Sequence, residues 1–244
     1  MSKSAPTIPS SDLPLGKRLA VLVATNRAIE AATFESVIRC FDSSKMQLLL
    51  HYTNDIVRAR NVLAQQFLDS GCEWSFWVDD DMILPCGDAA LFKRLCNCPN
   101  LHDSYAGLNA IGKLHQRQKT LVGGAYFGRF KGSPLQAWAP SVDASQIAKL
   151  QGPTDAIVPV TWVATGCMLV HRSVYTDILD KKLAPTVEAS LQLGYKHGFF
   201  SPIQPGMGED VSFCHRAKAA GHQPWLDYAV QPGHVGKAVY NHLT

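Results

Sequence analysis

Apolar positions along this chain shift between two spacings, and the shifts mark out its elements. Leu19-Ala20-Val21-Leu22-Val23-Ala24 is a short, wholly apolar run that stops at Thr25-Asn26-Arg27, the pattern of a strand buried on both faces. From about Ala31 to Cys40 the spacing becomes helical, and it predicts a helix with Phe34, Val37 and Ile38 turned inward. Met46 to Tyr52 reads as a second strand. Asp55 to Ser70 reads as a helix, because Ile56, Ala59, Leu63 and Phe67 recur at helical spacing and Gly71 suits its stop. Trp74 to Val78 is a third strand, Leu121 to Tyr126 and Thr161 to Val170 are further buried strands, and Gly208 to Ala220 is a helix closed by Gly221. Asn97 to Lys119 is predicted to be a mobile loop and Lys131 to Pro159 a second irregular stretch. Strands and helices take turns, which is an α/β pattern without an internal repeat.

Composition narrows this picture to one domain. The 244 residues are 46% hydrophobic and 18% charged, within what a single core supports. Residues 1–16 are rich in Ser and Pro and read as a flexible tail rather than a signal peptide, leaving 17–244 as the domain. The longest apolar runs are strand-sized, so no membrane span is expected. Seven cysteines without an export signal read as reduced thiols, which points to a cytoplasmic protein. Cys96-Asn97-Cys98 lacks the spacing and the second pair of a structural zinc site. A formal charge of +3 neither requires nor excludes a polyanionic partner.

The candidate chemistry begins at Asp79-Asp80-Asp81, three carboxylates set between Trp74-Ser75-Phe76-Trp77-Val78 and Met82-Ile83-Leu84-Pro85. Continued strand geometry would place Asp79 and Asp81 on one face and Asp80 on the other. Two partly desolvated carboxylates held together call for a cation, and Mg2+ or Mn2+ bound with substrate phosphates meets that need. A solvated acidic turn is the plain alternative. A second constellation runs from Gly206-Met207-Gly208-Glu209-Asp210 to His234-Val235-Gly236. Its acids open a helix, where unpaired N–H groups and the dipole stabilise them without any ligand. His234 is a surface loop histidine or a third ligand to a metal site that the carboxylates begin.

Taken together, these segments resemble nucleotide-sugar-dependent glycosyltransferases of the GT-A fold, in a compact, phage-type or bacterial form like family 2. The resemblance runs from about Ala20 to Gly236. It rests on Asn54-Asp55 with Arg58-Ala59-Arg60-Asn61, Asp79-Asp80-Asp81, Gly123-Gly124-Ala125-Tyr126, Thr165-Gly166-Cys167-Met168, Gly208-Glu209-Asp210 and His234-Val235-Gly236, in that order. It implies a mostly parallel twisted sheet between helices, Rossmann-like, with the nucleotide half toward the N-terminus.

The resemblance also implies roles. Asp81 and His234 would hold Mn2+ or Mg2+, with Asp79 contacting the metal through water or the ribose. Thr25, Asn26, Arg27, Asp55, Arg58, Arg60, Asp79 and Asp80 would face the nucleoside-diphosphate donor, a UDP-sugar by family expectation. Gly123, Gly124 and Tyr126 would shape the sugar pocket, while Trp162, Thr165 and Gly166 would lie toward the acceptor. Asp210 would be the general base of an inverting displacement, and Glu209 would bind a hydroxyl. The acceptor would be a glycan, a glycoconjugate or a hydroxymethylated DNA base. Lys113, His115, Arg117, Lys119, Arg129 and Lys131 are the residues that could meet DNA phosphates, against the simpler reading of solvated charge. Two other classes stay open. A nucleotidyltransferase would carry a glycine-rich loop after the first strand, and Ala24-Thr25-Asn26-Arg27-Ala28 has no glycine. A non-catalytic sugar-nucleotide or glycan binder would not need both the aspartates and Glu209-Asp210.

Overall fold

The computed structural model describes residues 19–26, 28–41, 46–95, 109–128, 135–138, 157–188, 192–236 and 239–240. The N-terminal tail, Arg27, Cys96 to Cys98, Arg129 and Lys131 lie outside the described residues, as do most of both stretches predicted to be irregular.

At the centre is a seven-stranded sheet. It is built from β1 (Leu19–Thr25), β2 (Met46–Tyr52), β3 (Trp74–Asp79), β5 (Leu121–Gly124), β7 (Ile157–Pro159), β9 (Cys167–His171) and β10 (Trp225–Asp227). Their order is β2-β1-β3-β9-β5-β10-β7. β2, β1, β3, β5 and β10 run the same way, while β9 and β7 oppose their neighbours. β4 (Met82–Ile83), β11 (Gly233–Val235) and β12 (Val239–Tyr240) form a small antiparallel sheet, and β6 (Ala137–Trp138) pairs with β8 (Trp162–Val163).

The apolar strand runs are explained by helices on both faces. Ala20, Leu22, Ala24, Trp77 and Met168 pack with α2 (Ile56–Ser70), α5 (Arg172–Asp180) and α6 (Glu209–Ala220). Leu19, Val21, Val23, Phe76 and Leu169, the alternate positions, pack with α1 (Ala31–Cys40) and α4 (Ala110–Gln116). A short α3 (Ala89–Leu95) follows β4 in the chain. Among the described residues no helix is long and apolar enough to cross a membrane. Cys40, Cys86, Cys167 and Cys214 are free thiols.

Four sequence expectations change. In α1 the inward side chains are Thr33, Ser36, Val37 and Cys40, whereas Phe34 and Ile38 are 51% and 44% exposed. The Ser36 hydroxyl donates to the Thr33 carbonyl and accepts the Leu84 N–H, which turns this polar stripe inward. Residues 110–116, predicted within a mobile loop, are helix: the Asn109 side chain caps the Gly112 N–H, and Ala110, Ile111 and Leu114 are buried. The run Thr161 to Val170 is two strands, broken at Ala164 to Gly166. The run Leu121 to Tyr126 leaves the sheet after Gly124, where the Ala125 N–H turns to the Val230 carbonyl.

Register explains where chemistry can gather. Ala24 of β1 lies level with Asp79 of β3, and Asp227 of β10 with Gly124 of β5, so these parallel strands end along one edge. The antiparallel β9 starts from that edge, placing Gly166 there as well. The carboxyl edge of parallel strands is the usual binding crevice of such sheets.

Candidate active site

Two residues separate β3 from β4, so Asp80 and Asp81 occupy a turn and strand alternation stops at Asp79. Asp79 and Asp81 therefore do not form the clamp that continued strand geometry would give. Asp79 Oδ1 accepts a hydrogen bond from Arg60 Nη2 at 2.8 Å. Asp81 instead faces the small sheet. The Val235 N–H donates to its carbonyl at 2.7 Å, and His234 Nε2 lies 3.3 Å from its Oδ2. His234 Nδ1 is 2.9 Å from the Phe127 carbonyl, which can only accept. Nδ1 therefore carries a proton, and Nε2 is the ring nitrogen turned toward Asp81. Among the described residues, no group of three or more His, Cys, Asp or Glu side chains is arranged to hold a metal ion.

Arg60 is the centre of the other half. It sits on the second turn of α2 in phase with Leu63, Ala64 and Phe67, and its side chain is only 5% exposed. Its Nη1 donates to Glu209 Oε1 and its Nη2 to Asp79. Burial alone would lower its pKa, but Asp79, Glu209 and Asp210 hold it above the usual value. Sequence reading assigned Arg60 to the donor; the structure gives it carboxylate partners inside the protein.

Asp210 opens α6 beside this guanidinium and accepts the Val211 N–H at 2.7 Å. Burial pushes its pKa up to about 6; Glu209 and Asp79 add to the rise, and Arg60 and the Val211 N–H oppose it. Asp80 is also raised, by burial first and then by Asp81 and Asp79, with the adjacent Thr25 side chain and Asn26 backbone acting in the opposite direction. Thr25, the last residue of β1, and Asn26 after it thus lie beside the aspartate turn.

Tyr126 and Gly166 close the cluster. The Gly166 N–H donates to the Tyr126 hydroxyl at 2.8 Å. Burial, Asp79 and Asp210 raise the Tyr126 pKa well above the ordinary phenol value. A Cβ on Gly166 would lie 2.5 Å from Tyr126 Oη and 3.2 Å from Asp79 Oδ2, so only glycine permits this approach. Asp79, Arg60, Tyr126, Gly166, Glu209 and Asp210 thus come together from five separate segments.

Other predicted residues are placed differently. Gly123 and Gly124 back onto Val163, Cys167 and Val230, so their lack of side chain serves packing within the protein. Asp55 caps α2 by accepting the Arg58 N–H at 3.0 Å, a structural role that accounts for it. Arg58 lies half-buried in that first turn. Thr165 is buried in the turn before β9, and half-buried Trp162 packs against both core layers. Sequence reading assigned no role to Asn61, which is fully buried: its Oδ1 accepts the Phe200 N–H at 2.8 Å, and its Nδ2 donates to the Ser201 hydroxyl at 3.4 Å. A polar residue on a buried helical stripe was the available signal for both Arg60 and Asn61.

No family model matches the chain, and no curated protein matches it in sequence. Solved structures do share its architecture. One is A197 from STIV, at 10% identity and a TM-score of 0.52, covering 89% of this chain and 85% of that one. Another is GalNAc-T7 with UDP, GalNAc and Mn2+, at 10% identity and a TM-score of 0.50, covering 90% of this chain and 44% of that one. The fold is GT-A-like. At this identity the likeness is one of fold, and the present chain spans less than half the length of GalNAc-T7. Within a GT-A-like frame, the aspartate turn, Tyr126, Gly166 and the head of α6 line the carboxyl edge of the sheet, together with Thr25 and Asn26.

Proposed function

We propose that the protein is a glycosyltransferase that moves a sugar from a nucleoside diphosphate, with UDP as the carrier, to an acceptor hydroxyl with inversion. The carrying observation is the Asp79–Arg60–Glu209 network around a buried guanidinium, with Asp210 beside it and the Asp81–His234 pair in the turn that follows the same strand. A fold neighbour bound to UDP, GalNAc and Mn2+ supports the reading.

Charge makes a cation part of this reading. Asp79, Asp80, Asp81, Glu209 and Asp210 outnumber the one buried guanidinium among them. A diphosphate donor is itself anionic, so it meets repulsion unless a cation accompanies it. Asp81 and His234 fit Mn2+ or Mg2+. Asp81 Oδ2 and His234 Nε2 lie 3.3 Å apart, near the roughly 3 Å between neighbouring ligands on bonds of about 2.1 Å, and Nε2 would have to be unprotonated to serve. Such ions take one or two protein ligands and fill their shell with water and phosphate oxygens, which suits a pair better than a closed cage. When bound, the ion would offset charge on the departing diphosphate.

The chain's own groups would do the rest. Asp210 takes the acceptor hydroxyl proton as the acceptor oxygen bonds to the anomeric carbon, and the bond from that carbon to the diphosphate breaks with its electron pair leaving on the phosphate. One displacement from the opposite face inverts the centre. With a pKa near 6, Asp210 is ionised at neutral pH and is a stronger base than an ordinary aspartate, which suits a general base. Glu209, held by Arg60, would bind a hydroxyl. Thr25, Asn26, Asp80 and Arg58 would face the nucleotide, with Arg27. Trp162 and Thr165 would lie toward the acceptor.

A glycan or glycoconjugate is the favoured acceptor. Of the residues offered for DNA phosphates, Arg117 is ion-paired with the fully buried Asp227, through Nε at 2.6 Å and Nη2 at 3.1 Å. Lys119 lies over the Trp225 ring at 4.3 Å.

Calorimetric titration with UDP tests the donor half. Binding should require Mn2+, fall at least tenfold in Asp81→Ala and His234→Ala, and persist in Asp210→Asn. Equal UDP affinity with and without metal, unchanged by Asp81→Ala, would remove the assignment.

A further inference from the structure

We infer that Arg60 is a positioning residue that ties the acidic head of α6 to the carboxylate ending β3, so that the donor and base sides of the site are held as one unit. This deepens the transfer reading above and rests on it.

The geometry carries the inference. Arg60 comes from α2, Asp79 lies 19 positions on at the end of β3, and Glu209 lies 149 positions on at the start of α6. The two carboxylates belong to different layers: β3 is a central strand, and α6 packs on α5 and β8. The two arms of one guanidinium span them. The fork of Arg presents donors at fixed angles, and with 5% exposure this side chain is turned to the two carboxylates rather than to solvent. A buried cation is tolerated only when paired, so each carboxylate is drawn to this point by a strong opposing need. α6 has no side-chain cap at Gly208. The ion pair to Glu209 therefore adds a long-range hold on the first turn that carries Asp210, beside the Val211 N–H bond to Asp210 and the Ile203 N–H bond to the Ser212 hydroxyl.

The consequence is specific. Loss of Arg60 should leave the donor contacts of the aspartate turn and β1 in place, yet free the head of α6 to shift. A displacement of about 1 Å in a reacting group can lower rate roughly 100-fold.

The test compares Arg60→Met and Arg60→Lys with wild type. In Arg60→Met, kcat should fall about 100-fold while the donor KM changes less than about threefold. Arg60→Lys should recover part of the rate, and guanidinium ion added to Arg60→Ala should restore some of it. A raised donor KM with unchanged kcat would make Arg60 a donor contact and overturn the inference. Should Arg60→Met not fold, Arg60→Met/Glu209→Gln, which removes a stranded carboxylate, takes its place.

A second readout needs no turnover. The effects of Asp79→Asn and Glu209→Gln on melting temperature should be non-additive when Arg60 is present and additive in the Arg60→Met background. Additivity with Arg60 present would overturn the coupling. Failure of wild type to use any nucleotide sugar would overturn the transfer reading alone, since the thermal cycle stands apart from it.

Discussion

The proposed transfer needs Asp210 to be both buried and a base, and those demands oppose each other. Its raised pKa means that the folded state holds the proton more tightly than the unfolded chain does. Its contribution to stability is therefore full below the ordinary aspartate value near 4 and is lost as pH rises through about 6. Asp210→Asn should lower transfer by about 10²- to 10⁴-fold, yet stabilise the protein at neutral pH by roughly 1–3 kcal/mol. Calorimetry at about pH 7.5 and pH 4 checks the second half, because the gain should vanish at the lower pH. A variant less stable than wild type at neutral pH would contradict the environment assigned to Asp210. At this scale the sequence was informative about residue types and less so about partners. Asp79, Asp81, Glu209, Asp210 and His234 could each be singled out. That Asp79 faces Arg60 while Asp81 faces His234 depends on β3 ending one residue before the second carboxylate. No periodicity predicts that break.

Among the elements, α2 does more than cover the sheet. It is capped by Asp55 at one end and stopped by left-handed Gly71 (φ 74°) at the other, and between them it delivers Arg60 to the site. Asn61, the next residue, ties the helix to the segment around Phe200. Asn61→Ala would leave the buried Phe200 N–H without its acceptor, a loss of about 1–3 kcal/mol. Chemical denaturation should show the midpoint falling with an unchanged slope; an unchanged midpoint would mean that this bond contributes nothing. The boundaries of α1, β2 and α2 were legible because apolar spacing and stop signals agreed. The inward face of α1 was not, since Ser36 finds both a donor and an acceptor within the protein and displaces Phe34 and Ile38 outward. The turn at Thr165 and Gly166 was equally hidden. Apolar residues run on both sides of it, and only the contact with Tyr126, 40 positions away, shows why the chain bends there.

Across the whole molecule, one sheet edge unites these parts. Parallel strands bring β1, β3 and β5 to a common rim, the reversed β9 adds Gly166, and α6 closes over it with its acidic first turn. The fold that carries them is the GT-A-like one expected from the order of motifs. The negative charge concentrated at that rim makes an accompanying cation the decisive requirement of the account. The most direct test is release of nucleoside diphosphate from a panel of nucleotide sugars in Mn2+, with and without glycan or hydroxymethylated-DNA acceptors, using Asp81→Ala as control. The account predicts release that needs both metal and a glycan-type acceptor and that is lost in Asp81→Ala; wild-type protein that binds and turns over none of the donors would contradict it.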